Sequence, residues 1–446
     1  MTDQNKHKIS GGFSCVILAA GKGTRMKSAL PKVMHKVAGQ PLITHVLSAC
    51  APLLPEKTAV VVAPSMDSVK QAVATFGKNV HLVVQTEQKG TGHAVLCSKE
   101  FFNGYKGKVL VLCGDTPLIT TKTLEGLLEA AQSHEIVVLG MRLANPFGYG
   151  RLITDASGRL EEIIEERDAT AEQKAIDLCN SGIMVVSGDR LFTLLEKLTP
   201  NNSAGEYYLT DIVALANDME LHCQVVEAPD ASELSGINTR AQLASAENVL
   251  QNKLRAQVME NGVTLIDPQS VYLRSDTKIA ANVVVHPQVV FGDNVIVETG
   301  VEIRSFSHIE GAYIKEGAII GPFARIRPKS TIGKNAHIGN FVEIKNTMLG
   351  DGAKANHLSY VGDSDVGAAA NIGAGTITCN YDGVNKHKTT IGAKASIGSN
   401  SSLVAPVTIG EGAVTGAGSV ITQDVPKDAL ALGRARQVNK ESRAKK

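Results

Sequence analysis

The chain has 446 residues, of which 43% are hydrophobic and 20% charged, and its formal net charge is +1. That length exceeds one hydrophobic core and implies two or three domains, while the near-zero charge gives no reason to expect nucleic acid as a bulk partner. Seven cysteines (Cys15, Cys50, Cys97, Cys113, Cys179, Cys223 and Cys379) contain no C-x-x-C pair, which argues against a disulfide framework and a structural zinc site.

Residues 1–12 are polar, lack the apolar centre of a signal peptide and read as a mobile extension. No apolar run reaches the roughly 18 residues of a membrane-spanning helix, so no membrane partner and a cytoplasmic location are expected. From 13 to 238 short apolar runs alternate with amphipathic stretches. Strands are predicted at Ser14–Ala19, Thr58–Val62, Val80–Val84, Lys108–Leu112 and Ile136–Gly140, with helices at Pro41–Cys50, Ser65–Phe76 and Lys122–Ser133. Such alternation predicts a Rossmann-like α/β domain with a mostly parallel sheet, whose ligands gather beyond the strand carboxyl ends.

The first strand runs into LAAGKGTRMKSALPK, Leu18 to Lys32. This is neither a Walker A loop nor a dinucleotide fingerprint. Gly21 and Gly23 let backbone N–H groups turn toward an anion, and Arg25 and Lys32 add positive charge. The segment suits phosphate binding or an ordinary strand–helix turn.

Residues 239–261, rich in Ala, Leu, Gln and Lys, read as a helix joining the domains, with Gly262 as its stop. In 262–446 the periodicity becomes six. Ile279, Val285, Phe291, Val297, Ile303 and Ile309 are followed, after a one-residue slip, by Ile314, Ile320, Ile326, Ile332, Ile338 and Ile344. Val361, Val366, Ile372, Ile391, Ile397, Leu403, Ile409 and Ile421 continue the series, often directly followed by Gly. A hexapeptide repeat predicts a parallel β-helix: one aliphatic side chain per hexad points inward, small residues permit the corners, and three hexads close a coil of about eighteen residues. Between Thr376 and Thr389 the repeat breaks for a polar loop, and such loops usually lie on a binding face. From Arg434 to Lys446 a short basic tail carries six Lys/Arg against Glu441 and reads as a solvated end.

Arg327 and Lys345 fall eighteen residues apart in unbroken register, hence at one position on adjacent coils. Two stacked cations repel, which a bound phosphate would reverse; a solvated cationic ladder is the plain alternative. His357 alone would more often be structural than catalytic.

The motifs carry more when taken together. The string from Leu18 to Lys32, QTEQKGTGHA with Gln85, Gly90 and Thr91, LCGDTPL with Cys113, Gly114 and Asp115, NPFGYGRL with Gly150, EERDA with Glu165, CNSGI with Asn180 and SGINTR with Asn238 resemble the sugar-1-phosphate nucleotidyltransferases. One departure is Thr239, where that family often has a second Asn. The run GNFVEIKN, KANHLSYVG and NIGAGTITCNYDG resembles the acetyltransferase half of the bifunctional N-acetylglucosamine-1-phosphate uridyltransferase/glucosamine-1-phosphate acetyltransferase family. The order of motifs is that family's, and the resemblance covers nearly the whole chain. It implies a left-handed parallel β-helix and two activities: acetyl transfer from acetyl-CoA to glucosamine 1-phosphate, then uridylyl transfer from UTP to N-acetylglucosamine 1-phosphate.

By that resemblance Leu18, Ala19, Ala20, Gly21, Gln85, Gly90 and Thr91 bind the nucleotide, beside Cys113 and Gly114. Arg25 and Lys32 stabilise the phosphates, Asp115 and Asn238 hold Mg²⁺, and Gly150, Glu165 and Asn180 hold the sugar. Taken singly, Asp115 would often be a helix cap and the asparagines turn formers. In the second half His357 is the implied general base, Arg327, Lys345, Tyr360 and Asn371 hold the sugar phosphate, and Ala374, Asn380, Tyr381, Ser399, Ala417 and Arg434 line the acetyl-CoA groove. The family assembles as a homotrimer and serves cell-envelope synthesis in bacteria. Two other functions fit less of the chain: a nucleotidyltransferase whose β-helix only assembles oligomers, and an inactive regulatory relative.

Overall fold

The computed structural model describes residues 12–440, so the predicted extension over 1–12 lies, apart from Gly12, outside the described residues, as does the end of the basic tail, 441–446. The chain divides into two compact units, Met1–Leu250 and Gln251–Lys446. The helix predicted over 239–261 runs Arg240–Glu260, and the division falls within it.

The first unit is built on a sheet whose main path runs Cys223–Glu227, Ile136–Arg142, Leu178–Ser187, Lys108–Cys113, Phe13–Leu18, Thr58–Val62 and Val80–Val84. The pairings are parallel except those of Leu178–Ser187 and of a side hairpin, Arg151–Thr154 with Leu160–Ile164. Strands such as Thr58–Val62 are buried at every residue. That follows from helices packing on both faces, which selects continuous Val/Ile/Leu runs over alternation. The chain starts at Phe13–Leu18, winds outward to Val80–Val84, then crosses back to Lys108–Cys113 on the other side of the first strand. This reversal opens a crevice beyond the carboxyl ends of the two central strands. The CNSGI motif forms an irregularity in Leu178–Ser187, where the register shifts between Asn180 and Met184 and Gly182 takes φ 80°. Bulges of this kind re-aim side chains beside binding sites.

The second unit is a parallel β-helix. Lys278–Ile279 pairs with Ile296–Val297, Val284–Val285 with Glu302–Ile303, and Val290–Phe291 with His308–Ile309, so three strand columns share one stacking direction. The predicted six-residue series forms the inner stack, buried from Val285 onward and partly buried at Ile279. Leu349 and Ala355 fill the gap between Ile344 and Val361. Thr378 and Thr415 also occupy inner positions, where their hydroxyls accept from Gly362 N at 2.8 Å and Gly398 N at 3.0 Å.

Two expectations change. The glycines after the inner aliphatics do not mainly serve corners. A Cβ on Gly333 would lie 2.5 Å from the Gly350 carbonyl carbon, so this glycine permits close stacking of coils. The left-handed corner conformations fall at other glycines, among them Gly300, Gly317, Gly352 and Gly412, and also at larger residues such as Asn282, Asn294, Phe306, Phe323, Asn335 and Phe341, with φ of 53–71°. The second change concerns the polar loop. Ile377–Cys379 stays in the coil, paired with Ser402–Val404, and only Asn380–Lys388 leaves it. Thr378, polar but inward, had masked that strand.

The first turn of the coil is covered by its own unit's helical segment. Gln251 donates to Leu273 O at 2.7 Å and accepts from Leu273 N at 2.9 Å, and Arg255 donates to Val271 O at 2.8 Å. These side chains satisfy backbone groups that an open coil end would leave unpaired.

Candidate active sites

In the first unit a cleft of ≈ 550 Å³ lies at the switch between the central strands. Of the predicted residues, Leu18, Ala19, Ala20, Gly21, Lys32, Gln85, Gly90, Thr91, Cys113 and Asp115 line it. The loop after Leu18 folds over Lys32 because Gly23 has φ 61° and a Cβ there would lie 2.6 Å from Lys32 Cβ. Gly114 donates to Leu18 O at 2.9 Å, an approach that leaves a Cβ 2.9 Å from Ile43 Cδ1.

Lys32 Nζ pairs with the Asp115 carboxylate and donates to Asn238 Oδ1 at 2.9 Å. Arg25 donates to the same Asn238 oxygen at 2.9 Å. Asp115 and Asn238, distant in sequence, therefore turn hard oxygens toward one point. Among the described residues no three His, Cys, Asp or Glu side chains cluster as a metal site. One carboxylate plus one amide oxygen fits a Mg²⁺-type ion that takes its other ligands from phosphate and water.

Gly150, Glu165 and Asn180 form a second group beside Cys113. Asn180 N donates to Gly150 O at 2.8 Å, and Asn180 Oδ1 accepts from Gly182 N at 2.9 Å. A Cβ on Gly150 would lie 3.5 Å from a Glu165 carboxylate oxygen, and the Cys113 thiol contacts Gly182. Burial raises Glu165 above the usual carboxylate range, with Asp211 and Asp168 adding to the effect and a Thr210 hydrogen bond opposing it. Burial, helped by Asp115, pushes the Cys113 thiol up to about 12. It is therefore a neutral wall of the cleft rather than a nucleophile.

Sequence reasoning missed Gln88, whose amide binds Ala20 O and braces the loop, and Lys22, Thr24 and Glu206, which also line the cleft. It missed Arg151 as well, buried to 1% exposure. Arg151 pairs with Glu166 at 2.8 Å and donates to the carbonyls of Tyr149 and Lys174, tying together the segments that present Gly150 and Glu165.

In the second unit the predicted residues fall into two groups. Ile326 pairs with Ile344, which sets Arg327 and Lys345 on adjacent coils as expected. Their repulsion is offset: Arg327 bonds Glu343 at 2.9 Å and Lys345 lies 3.8 Å from Asp363. Asp363 also accepts from Asn346 at 2.6 Å and from Asn380, which in turn donates to Tyr360 OH at 3.3 Å. Lys386, from the excursion loop, meets Lys345, and that neighbouring ammonium pulls it below the usual lysine range. The loop braces itself, since Asp382 accepts from Val384 N, Asn385 N and His387 Nε2 at 2.6–2.8 Å. Tyr381 is 60% exposed, and its hydroxyl donates back to Gly383 O of the same loop at 2.5 Å.

His357 belongs to another column. It ends Lys354–His357, where Asn340 is its register partner and Asn371–Ile372 the next strand. Its Nδ1 lies 2.8 Å from Asn340 Oδ1. Successive coils above bring Gly375 N to His357 O, Asn400 N to Ala374 O and Gly418 N to Ser399 O. His357, Ala374, Ser399 and Ala417 thus climb one corner in three steps, about 15 Å at the usual strand spacing. Arg434 lies beyond the last strand, Leu430–Ala431. No side-chain hydrogen bond joins this column to the cationic group among the described residues.

A family model for a MobA-like NTP transferase domain matches residues 15–202, and one for the bacterial transferase hexapeptide (six repeats) matches 311–346 and 388–423. The chain is 51% identical over 432 residues to the bifunctional protein GlmU of Paramagnetospirillum magneticum, covering 96% of this chain and 95% of that one. It is 50% identical to that of Zymomonas mobilis, covering 97% of both, and 49% identical to that of a Jannaschia species, covering 97% and 95%.

Proposed function

This chain belongs to the family of bifunctional GlmU proteins, and from that premise we propose how its two halves divide the synthesis of UDP-N-acetylglucosamine. The carrying observation is that identity near 50% spans both units at full length. The second unit transfers acetyl from acetyl-CoA to glucosamine 1-phosphate. The first transfers uridylyl from UTP to N-acetylglucosamine 1-phosphate and releases pyrophosphate.

In uridylyl transfer two polyanions must meet, so fixed positive charge and a hard cation are needed where charge builds up. We assign Arg25 and Lys32 to the phosphates and Asp115 and Asn238 to the divalent cation, proposed as Mg²⁺. Leu18–Gly21, Gln85, Gly90 and Thr91 receive the nucleotide. Gly150, Glu165 and Asn180, set beside Cys113 and Gly114, receive the sugar.

In acetyl transfer His357 takes a proton as the glucosamine nitrogen attacks the thioester carbon and coenzyme A thiolate leaves. The Asn340 oxygen favours the His357 tautomer with hydrogen on Nδ1, which leaves Nε2 as the base. Arg327, Lys345, Tyr360 and Asn371 hold the sugar phosphate, with Lys386 as a third cation. The corner bearing Ala374, Ser399 and Ala417, with Asn380, Tyr381 and Arg434, receives acetyl-CoA. A homotrimer in which neighbouring copies complete each acetyltransferase site belongs to the same proposal. The described residues contain no helix long and apolar enough to cross a membrane. Seven free cysteines and UTP and acetyl-CoA as substrates favour a cytoplasmic enzyme.

The test is a coupled assay of the purified chain with glucosamine 1-phosphate, acetyl-CoA, UTP and Mg²⁺, following free thiol and pyrophosphate separately. Release of both, with pyrophosphate dependent on acetyl-CoA, supports the bifunctional assignment. Pyrophosphate only from supplied N-acetylglucosamine 1-phosphate, without thiol, would reduce the β-helix to a scaffold.

A further inference from the structure

The nucleotide cleft contains a polar device beyond the residues assigned above. Gln85 follows the strand Val80–Val84, is 3% exposed, and has its backbone N–H bonded to Val62 O at 2.9 Å. Its side-chain Nε2 lies 3.3 Å from Gly90 O and 3.1 Å from His93 Nδ1. A backbone carbonyl only accepts, so the face of the amide toward Gly90 must be the NH₂. The second N–H of that group then points to His93 Nδ1, which serves as the acceptor, with the ring proton on Nε2.

The frame around the pair is stiff. Gly90 has φ 108°, and a Cβ there would lie 2.6 Å from Tyr207 O. His93 sits in the helix Thr91–Leu96, whose Thr91 hydroxyl accepts from Leu209 N at 3.0 Å. With both donors of Gln85 committed, its Oε1 accepts no hydrogen bond among the described residues. Gln85 lines the cleft with Leu18, Ala19, Ala20 and Thr91. Gly90 O and His93 Nδ1 together fix the orientation of that amide at the cleft wall.

We propose that His93 is a positioning residue that locks Gln85 with its amide oxygen toward the nucleobase, so that the site selects a pyrimidine bearing an N3–H over cytosine. Uracil and thymine donate from N3, whereas cytosine offers a lone pair there. Against a locked Oε1, cytosine sets two acceptors face to face and leaves both unpaired. With His93 removed, Gly90 O alone holds the NH₂, and the amide turns over more readily to present it to the base. One buried polar mismatch of this kind discriminates by about tenfold to a hundredfold.

This inference rests on the first unit being the uridylyltransferase. The test compares kcat/KM for UTP and CTP, with N-acetylglucosamine 1-phosphate and Mg²⁺, in the full-length chain and in His93→Ala, His93→Gln and Gln85→Met. The parent should prefer UTP. His93→Ala should lose about tenfold or more of that preference, mainly through a higher KM for UTP with kcat little changed. His93→Gln, which can again offer an acceptor, should recover part of it, and Gln85→Met should lose it. A UTP:CTP ratio unchanged in His93→Ala, with kcat lowered equally for both nucleotides, would make His93 merely structural and overturn the proposal. So would an unchanged ratio in Gln85→Met, which covers failure of the alanine variant to fold. If the parent releases no pyrophosphate from any nucleotide, the uridylyltransferase reading itself fails, a result distinct from an unchanged ratio.

Discussion

His357 and Asn340 face each other across adjacent coils, with Nδ1 of the imidazole 2.8 Å from the asparagine side-chain oxygen. That contact sets which ring nitrogen is free to take a proton. Asn340→Leu should therefore lower kcat for acetyl transfer by about tenfold to a hundredfold, part of the 10²–10⁴ that a general base supplies. His357→Ala should lose the larger share. Thiol release should report both, while pyrophosphate release from supplied N-acetylglucosamine 1-phosphate stays near the parent value. Near-normal acetylation in His357→Ala would demote that histidine to a structural role.

Asp115 and Asn238 converge on Lys32 Nζ, so the metal and phosphate functions assigned to this point are separable from the β-helix chemistry. Asp115→Ala should reduce uridylyl transfer by at least ~10³-fold. Acetyl transfer should change by less than about twofold, as expected for sites in independent units. Adding a chelator to the parent should do the same, stopping pyrophosphate release but not thiol release. Parallel loss of both activities in Asp115→Ala would mean the two reactions share a folding unit or a site.

Much of this was readable because repeats and strand-end motifs are local. Ile332, Ile338 and Ile344 report the coil directly, since one inward side chain per hexad is a condition of the fold. Asp115 and Lys32 sit in motifs whose flanking apolar strands fix their place. The residues that escaped depend on register or on distant chain. Asn340 meets His357 only because the strands pair at that step, and Lys386 reaches Lys345 only because a loop returns to the coil. Arg151 looked like any charge in a strand, and its burial is evident only once Glu166 and Lys174 O surround it. Thr378 broke the aliphatic series while keeping its geometry, which made the excursion look longer than it is.

Glu165 joins function to a pH-dependent stability. Burial raises its folded pKa, so the folded state holds this proton more tightly than the unfolded chain does. The stability tied to the neutral carboxyl is then fully present below the unfolded value, about 4.3. It is lost as pH rises through the raised folded value, because charging a buried carboxylate is unfavourable. Glu165→Gln cannot charge. Its melting temperature relative to the parent should change little in acid and increase as pH rises toward neutrality. The same substitution should raise KM for N-acetylglucosamine 1-phosphate by about tenfold or more, the scale of one charge-assisted hydrogen bond. A melting difference that is flat with pH would detach the carboxyl from this linkage.

The open end of a β-helix is an edge that must be satisfied, and Gln251 does this with a single side chain. Its amide both donates to and accepts from the Leu273 backbone, at 2.7 and 2.9 Å, while only 1% exposed. Truncation to Ala would strand one buried N–H and one buried C=O, at a cost of about 1–3 kcal/mol each before any water enters. Gln251→Ala should therefore lower the denaturant midpoint of the β-helix unit, read through loss of acetyl transfer after incubation in urea. Gln251→Glu offers only acceptors when ionised, so it should keep the bond from Leu273 N and lose the one to Leu273 O. It should be destabilised at neutral pH and partly recovered in mild acid, where the carboxyl regains a donor. A stability equal to the parent in Gln251→Ala would show that the neighbouring Arg255, bonded to Val271 O, suffices to close the coil.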